Sequence, residues 1–422
     1  MVQVLKSAWA LLLGLMLLMV GNGLQGTLLG VRGEIEGFST FEMSIVMSGY
    51  FLGFLGGSRA APEMIRRVGH VRVFAALGSF ISAILILYPT IADPVAWTIG
   101  RVLIGFCFSG VYVTAESWLN NAATNETRGQ ALSLYMLVQV LGIIGAQGLL
   151  LVADPSGFVL FVIPSVLVSI AFAPILLSVQ PTPAFERTAP MNLRQLFAVS
   201  PLACVGVFLL GGAFSAQFGM AAVYGSQAGL TLVQISGFIA TFYVGATFFQ
   251  FPLGWLSDRM DRRRLIMLVS AVGTAGAVIG ILFGSFYGLL VAAFFVGGMS
   301  NPLYSLLISH ANDFLEPAEM ASVSGGMLFL NGLGAISGPL ATGWIMTALG
   351  PSGFWVFIAV LLLVLTLYAL YRMTQRPAPK IEDTGAYTPV MMSATPVAVE
   401  AAQEWAVDAA EHSDQEENVS KP

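Results

Sequence analysis

Residues 254–264 read GWLSDRMDRRR and separate two long apolar runs. A second basic turn, RRVGHVR at residues 66–72, separates two more such runs about 190 residues earlier. Charged side chains are costly inside a bilayer, so a membrane chain places most of them in its loops. Two basic turns at corresponding points of the two halves therefore predict a duplicated membrane protein that carries both turns on one side.

The composition excludes an ordinary soluble domain. Of the 422 residues, 56% are hydrophobic and 10% are charged, whereas a soluble domain carries about 25% charged residues. Many of the acidic residues that give the net charge of −5 lie after Pro379. The charge therefore does not indicate a nucleic-acid partner. The two Cys and three His show no metal-ligand spacing and form no disulfide framework. We expect no metal and no cofactor.

The apolar residues form twelve runs of roughly bilayer-spanning length. The first run follows Lys6 like a signal peptide, but it continues to Val31, which favours a retained span. An open strand edge would leave backbone groups unpaired in lipid, so each span must be helical. The expected fold is an all-α polytopic membrane protein with twelve transmembrane helices in two six-helix bundles. The predicted helices are 8–30, 42–60, 73–92, 96–118, 130–152, 158–178, 201–224, 233–254, 265–284, 288–311, 320–345 and 353–373.

The distribution of basic residues predicts the orientation. If the N-terminus is cytoplasmic, the cytoplasmic loops hold nearly all Lys and Arg, and the opposite loops hold only Arg32. We therefore expect a multi-pass protein of the bacterial inner (cytoplasmic) membrane with both termini in the cytoplasm. The expected domains are an N-terminal bundle (1–179), a cytoplasmic linker (180–200), a C-terminal bundle (201–373) and a disordered tail (374–422) rich in Ala, Pro and acidic residues.

The turn Gly254–Arg263 resembles the loop signature of the major facilitator superfamily, with Asp261 in place of its second glycine. In the first-half copy, Arg66 stands where the family has Asp. Arg101–Gly105 resembles the fourth-helix Arg motif of the family. Residues 114–129, TAESWLNNAATNETRG, look like the YcaD-type branch, which holds transporters of unsettled substrate. The fifth-span Gly-Pro signature of drug antiporters is absent.

The resemblance implies a secondary active transporter that moves a small-molecule solute across the lipid bilayer by alternating access, with protons as a candidate coupling ion. It implies no enzyme activity and no cofactor, and we expect a monomer. An exporter of amphiphilic drug-like compounds is the alternative within transport. Outside transport, the alternatives are a membrane-embedded enzyme and a non-transporting sensor or assembly partner.

Polar residues in the spans are the candidates for a solute cavity, because in this fold the first, fourth, seventh and tenth spans line the path. Each amide or hydroxyl has interhelical hydrogen bonding as its alternative role, and Arg101 could instead reach the outer interface. The candidates are Asn22, Gln25, Arg101, Tyr112, Gln217, Asn301 and Tyr304, with Gln139, Tyr224 and Asn331 in a second tier.

Charged residues near the predicted cytoplasmic side are the candidates for coupling or gating. Glu116 is either a proton acceptor or part of a lock with Arg66, Arg67 or Arg128. Asp313, Glu316 and Glu319 are potential partners of the basic run 262–264. The full gating set is Glu116, Glu126, Arg128, Arg66, Arg67, Asp258, Arg259, Arg262 and His310.

Glycines inside the spans have a packing interpretation. Residues 21–26, GNGLQG, match the dinucleotide pattern GxGxxG, but that pattern requires a strand-to-helix turn. We instead expect this segment, Gly49–Gly57 and Gly334–Gly338 to let helices approach closely.

Overall fold

The computed structural model describes residues 2–123, 127–177, 191–315, 317–375, 384–387 and 389–403. These residues form helices and connecting turns, without a strand. The helices are α1 Val2–Ile35, α2 Thr40–Val68, α3 His70–Leu87, α4 Pro94–Ala122, α5 Arg128–Leu149, α6 Val159–Leu177, α7 Leu193–Val199, α8 Pro201–Ser215, α9 Ala221–Gln227, α10 Leu232–Ser257, α11 Arg262–Leu282, α12 Phe286–Asn312, α13 Pro317–Leu349 and α14 Gly353–Gln375.

All twelve predicted spans are helical, and two details were not predicted. The short helix α7 lies in the expected linker, and a π-helical turn, Ala216–Met220, joins α8 to α9 within one span. Ten spans of the described chain are long and apolar enough to cross a bilayer. The other two predicted spans are α2, which carries charged residues near its end, and α6, whose apolar part is the shorter Val159–Ala173.

The two halves repeat one pattern of helix packing. In the first half, α1 packs on α5 and α6, α2 packs on α4, and α3 packs on α4 and α6. In the second half, α8 packs on α13 and α14, α10 on α12, and α11 on α12 and α14. This correspondence supports the predicted duplication.

Glycines allow the closest of these contacts. A Cβ at Gly53 in α2 would overlap the Val102 carbonyl oxygen in α4, and a Cβ at Gly245 in α10 would overlap that of Phe294 in α12. Gly334 faces Phe208 of α8 in the same way. The packing interpretation of the spaced glycines is therefore correct. Residues 21–26 lie within α1 and not at a strand-to-helix turn, which excludes the dinucleotide interpretation.

The bundle has two ends, which we name by charge. The basic end carries the turns at residues 66–72 and 258–264, and the opposite end carries the start of α2 and the end of α13. The halves touch at the opposite end. There the Ser48 hydroxyl donates a hydrogen bond to the Ile336 carbonyl oxygen (2.6 Å), and the Ser236 hydroxyl donates one to the Gln147 carbonyl oxygen (2.5 Å). Gly30 leaves so little space that its Cβ would lie 2.6 Å from the Ala222 Cβ.

At the basic end, part of the C-terminal tail lies between the halves. We name residues 384–387 and 389–403 the tail segment; its residues 396–403 are helical. Val390, Met392 and Val399 are buried. The structure differs here from the expectation of a disordered tail. Composition alone predicted disorder, whereas these apolar residues are buried against the helices of both halves.

Candidate functional site

A cavity lies at the interface between the halves. The first, fourth, seventh and tenth spans line it as expected, and α2, α5, α10, α13 and the tail segment also contribute. Its walls combine seven aromatic rings, three of which carry phenolic hydroxyls, with four side-chain amides. The lining residues are Met19, Asn22, Tyr50, Phe51, Phe54, Leu55, Tyr112, Gln139, Ile143, Phe214, Phe218, Tyr243, Asn301, Leu328, Asn331, Gly332, Ala335, Met391, Met392 and Ser393.

The cavity is small because the tail segment occupies its basic end. Its volume is about 50 Å³, and a single water needs roughly 10–15 Å³. The space therefore suits a few waters and is too small for a metabolite. Met391, Met392 and Ser393 form part of its wall.

Asn22 connects the cavity to a buried polar network. Its amide nitrogen donates to the Tyr50 hydroxyl (3.1 Å) and to the Tyr112 hydroxyl (3.0 Å). Its amide oxygen accepts from Gln25 (3.2 Å). These bonds join α1, α2 and α4, so the network fixes the position of Asn22 at the cavity wall.

Arg101 lies behind this network. Its side chain is completely buried and donates to the Gln25 amide oxygen (2.9 Å). Its guanidinium also lies 4.7 Å from the centre of the Tyr50 ring. The suggestion that Arg101 reaches the outer interface is therefore wrong. Among the residues that the structure describes, no carboxylate pairs with Arg101, and its Nε has no partner.

The predicted cavity residues fall into two groups. Asn22, Tyr112 and Asn301 line the cavity, and Gln25 and Arg101 support Asn22 from behind. Gln217 lies in the π-helical turn and hydrogen-bonds to Ser300 (3.1 Å). Tyr304 is fully buried in α12 away from the cavity lining.

Of the second-tier residues, Gln139 and Asn331 line the cavity. Tyr224 instead stacks on Phe354 at 4.9 Å, inside the second half. Several aromatic lining residues were not among the predicted cavity residues. Tyr50 and Phe54 lie four residues apart in α2, a spacing that places both side chains on one helix face. That spacing was the available signal. The missed residues are Tyr50, Phe51, Phe54 and Tyr243.

Glu116 lies near the basic end of α4 and is buried. Its carboxyl group accepts from the Tyr135 hydroxyl (2.6 Å) and from the hydroxyl and backbone N–H of Thr395 in the tail segment. Arg128 lines the same small cleft. The expected gating residue Glu126 lies outside the described residues.

Arg66 and Arg67 do not contact Glu116 in this arrangement of the halves, so their part in a lock stays a prediction. Both pair with Glu63 on the exposed end of α2, at 2.7 Å and 2.6 Å. The bonds from the two guanidinium groups lower the pKa of Glu63 to about 2. The spacing of three and four residues along one helix explains this pairing, because it needs no approach of another element.

Arg262 joins the second basic turn to α12 and to the tail segment. Its guanidinium is buried and donates to Ser257 (3.0 Å), to the Ser309 carbonyl oxygen (3.2 Å), to Asp313 and to the Gly385 carbonyl oxygen. The expected pairing of Asp313 with the basic run is therefore present. Burial raises the pKa of Asp313 to about 6, although Arg262 opposes that shift.

Three further gating candidates have distinct surroundings. Asp258 accepts a hydrogen bond from the Tyr387 backbone (2.8 Å) and lies 3.6 Å from Arg262. Arg259 packs over the Trp255 ring at 4.4 Å. His310 is buried and meets Phe314 edge-on at 5.2 Å. Glu316 and the side chain of Glu319, the other suggested acidic partners, lie outside the described residues.

The family model of the Major Facilitator Superfamily matches residues 11–243 and again residues 203–397. The chain belongs to the major facilitator superfamily. Two overlapping matches that together span the chain agree with the repeated packing of its halves. It is a multi-pass membrane transporter and not an enzyme.

Relatives within the superfamily include transporters without an assigned substrate. The chain is 26% identical over 350 residues to the uncharacterized MFS-type transporter YfkF of Bacillus subtilis. The aligned region covers 80% of this chain and 89% of YfkF. It is 24% identical over 377 residues to the uncharacterized MFS-type transporter YcaD of Salmonella arizonae, and the aligned region covers 87% of this chain and 96% of YcaD. The resemblance to the YcaD-type branch is thus confirmed.

Solved superfamily structures share the fold. A variant of the nucleoside transporter NupG superposes with a TM-score of 0.74 at 14% identity, covering 86% of this chain and 99% of that one. A bacterial homologue of the human lysosomal transporter Spinster, in an inward-facing and unoccupied conformation, superposes with a TM-score of 0.66 at 13% identity. The superposition covers 95% of this chain and 98% of that one.

Proposed function

We propose that this MFS protein is a secondary active transporter that moves a small solute through the cavity by alternating access. One observation carries the proposal: the cavity lies between two repeated halves that meet at the opposite end and hold the tail segment between them at the basic end. Rocking of such halves about a central site exposes that site to one side at a time.

The basic end is assigned to the cytoplasm by the positive-inside bias. The contacts at the opposite end then correspond to an inward-facing arrangement, with both termini in the cytoplasm of a bacterium and the bundle in its inner membrane. The Spinster homologue has a structure described as inward-facing, and its similarity to this chain is consistent with an inward-facing arrangement here. We take a monomer as the working unit, because the cavity is formed entirely within one chain.

The lining favours a solute with a flat apolar face and hydrogen-bonding groups at its edge. Phe214 and Phe218 stack at 5.9 Å on one wall, and the amides of Asn22, Gln139 and Asn331 lie around the cavity. Aromatic faces bind planar rings, and amides pair with polar groups without the cost of burying a full charge. Nucleosides have this chemistry, which makes them suitable first probes; NupG is a nucleoside transporter.

Proton coupling is assigned to Glu116. It is a buried carboxyl group on α4, a helix that also contributes Tyr112 to the cavity wall. Its partners Tyr135 and Thr395 are neutral hydroxyl groups. Such a group can take up or release a proton when the basic end becomes hydrated, whereas a carboxylate locked to an arginine would stay ionised.

Export of amphiphilic compounds is the second candidate. A cleft of about 220 Å³ lies between α5 and α10 beside the cavity. Its walls include Met136, Leu137 and Phe251, and the last two are exposed on the surface of the bundle. An apolar opening toward lipid would admit an amphiphile from the membrane.

The experiment is counterflow in proteoliposomes with two probes, a radiolabelled uridine and a lipophilic cationic dye, each with and without a pH gradient. We expect saturable uridine exchange and loss of its gradient dependence in Glu116→Gln. Exchange of the dye alone would favour the second candidate. If neither probe nor a broader panel of small solutes moves, the transport proposal fails. If Glu116→Gln keeps the full gradient response, the proton assignment fails while transport stands.

A further inference from the structure

The tail segment has the contacts of a ligand bound between the two halves. It follows α14 in the chain after a short connection, residues 376–383, and returns to the centre of the bundle. In the first half it contacts α4 and α5 through Glu116 and Gln139. In the second half it contacts α10, α11 and α12. One segment thus binds both moving parts of the transporter.

Paired backbone bonds hold the middle of the segment. The Val390 N–H donates to the Ser305 hydroxyl oxygen (2.9 Å), and the Ser305 hydroxyl donates to the Val390 carbonyl oxygen (3.0 Å). The Tyr387 N–H donates to Asp258, and the Tyr387 hydroxyl accepts from Gln250 (2.9 Å). Backbone partners fix the path of the chain, so the segment has one register against α10 and α12.

Both ends of the segment are tied to charged or polar side chains. Gly385 accepts from the buried Arg262 guanidinium. Thr395 donates to Glu116 in the opposite half, and Gln403 donates to Asn312 at the end of α12 (3.0 Å). The apolar side chains between these ties are buried, with Val390 only 5% exposed. The segment therefore combines the burial and the hydrogen bonding of a specific interaction.

We propose that the tail segment is an autoinhibitory plug that docks between the halves from the basic end, fills the solute cavity and holds the transporter open on that side. Docking excludes solute because Met391, Met392 and Ser393 lie against the part of the cavity wall that a solute would contact. It also opposes rocking, because closing the basic end would bring α4 and α5 toward α10 and α12 where the segment lies.

A tethered plug needs little intrinsic affinity. The eight residues 376–383 connect the tail segment to α14, and so short a covalent tether gives an effective concentration of about millimolar. A segment with a dissociation constant about tenfold below that concentration would be docked about nine-tenths of the time. A binding partner for the tail or a change of its charge could therefore shift the transporter between plugged and open forms.

The test compares two truncated forms of the full chain in which Cys107 and Cys204 are replaced by Ala. One form ends at Gln403 and keeps the plug, and the other ends at Gln375 and lacks it. The reporter is Leu328→Cys, because Leu328 lines the cavity and is 5% exposed. The probe is a membrane-impermeant maleimide applied to the basic end, and Val68→Cys at the exposed end of α2 serves as the accessible control.

We expect Leu328→Cys to react at least about fivefold faster in the form that ends at Gln375, as a site freed from a largely docked segment would. Val68→Cys should react equally in both forms. Equal reaction of Leu328→Cys in the two forms overturns the proposal, whether both are fast or both are slow. This readout does not depend on any transported solute, so it is separate from the proposed transport activity.

A second measurement applies if the shorter form does not fold. Ser305→Cys and Val390→Cys are combined with a protease site inserted into residues 376–383. Because the Ser305 side chain touches the Val390 backbone in the docked form, a short thiol-to-thiol cross-linker should join the two cysteines and keep the tail attached after cleavage. Release of the tail after cross-linker treatment overturns the proposal. The single variant Ser305→Cys is the matched control and should release its tail.

Discussion

Thr395 in the tail segment donates its hydroxyl hydrogen bond to the carboxyl group of Glu116, which lies 279 positions earlier on α4. The contact joins the proposed plug to the proposed proton carrier. It means that a single event, release of the segment, both opens the cavity and exposes the carboxyl group to water.

Thr395→Val keeps the shape of the side chain and removes its hydroxyl donor. Loss of one hydrogen bond costs about 1 kcal/mol, so docking of the segment should weaken roughly fivefold. Faster maleimide labelling of Leu328→Cys measures the effect. Ser393→Ala is the control, because the 3.3 Å contact of Ser393 with Gln139 is neutral and long. A larger effect for Ser393→Ala than for Thr395→Val would contradict the assignment.

Asn22 and Asn301 both line the cavity, but their hydrogen bonds differ. Asn22 bonds to Tyr50 and Tyr112 on other helices, whereas Asn301 donates to Gly297 in its own helix (3.1 Å). Asn22→Leu should therefore destabilise the protein by about 1–3 kcal/mol, because it leaves buried partners unpaired. Asn301→Leu should cost less than about 1 kcal/mol. Thermal unfolding in one detergent compares the two, and equal shifts of Tm would argue against the network.

Gly343 packs at the opposite end, where a Cβ would overlap the Ser44 side chain of the other half. Gly343→Ala should therefore separate the halves there and favour the state that is open on the opposite side. The measurement is labelling of Ser48→Cys from that side, which should become faster. Gly145→Ala is the matched control, since a Cβ at Gly145 meets no atom within 4 Å. Slower or unchanged labelling in Gly343→Ala would exclude the proposed closure.

The pKa of Asp313 gives docking a pH dependence. Burial raises this pKa to about 6, and hydration after release of the tail segment should return it toward about 4. The docked state then binds the extra proton, so acidification favours docking. The charged groups that face Asp313 are Arg262, which lowers its pKa, and Asp258 and Asp261, which raise it.

Between about pH 7.5 and pH 5, docking should strengthen roughly tenfold. Labelling of Leu328→Cys, normalised to Val68→Cys at each pH, should slow accordingly. Asp313→Asn should remove this part of the response. Faster normalised labelling at low pH would show that protonation releases the segment, which is the opposite sign.

Asp258 and Arg66 occupy matching positions in the two basic turns but have different contacts. Asp258 accepts a hydrogen bond from the Tyr387 backbone and lies beside Arg262, whereas Arg66 pairs with Glu63 at an exposed helix end. An exposed pair contributes little because solvent and salt screen it. Asp258→Asn should therefore change cysteine accessibility at both ends of the bundle more than Arg66→Gln does. Equal changes in the two variants would refute this difference.

The fold could be predicted because its signals are local. Each span is a continuous apolar run, and lipid forces such a run to be helical. The repeat of basic turns at residues 66–72 and 258–264 gave the duplication, and the residues around Arg101 and Glu116 gave the family. Asn22 and Tyr112 were found because a polar group in a span needs a partner or a cavity.

The sequence by itself determined the helical spans, the repeated halves and the superfamily. Only the tertiary structure decided the partners: Gln25 for Arg101, Glu63 for Arg66, and Thr395 for Glu116. Composition predicted a disordered tail because the tail is rich in Ala, Pro and acidic residues. Its burial depends on a surface built by five helices, α4, α5, α10, α11 and α12, and that surface exists only after the chain has folded.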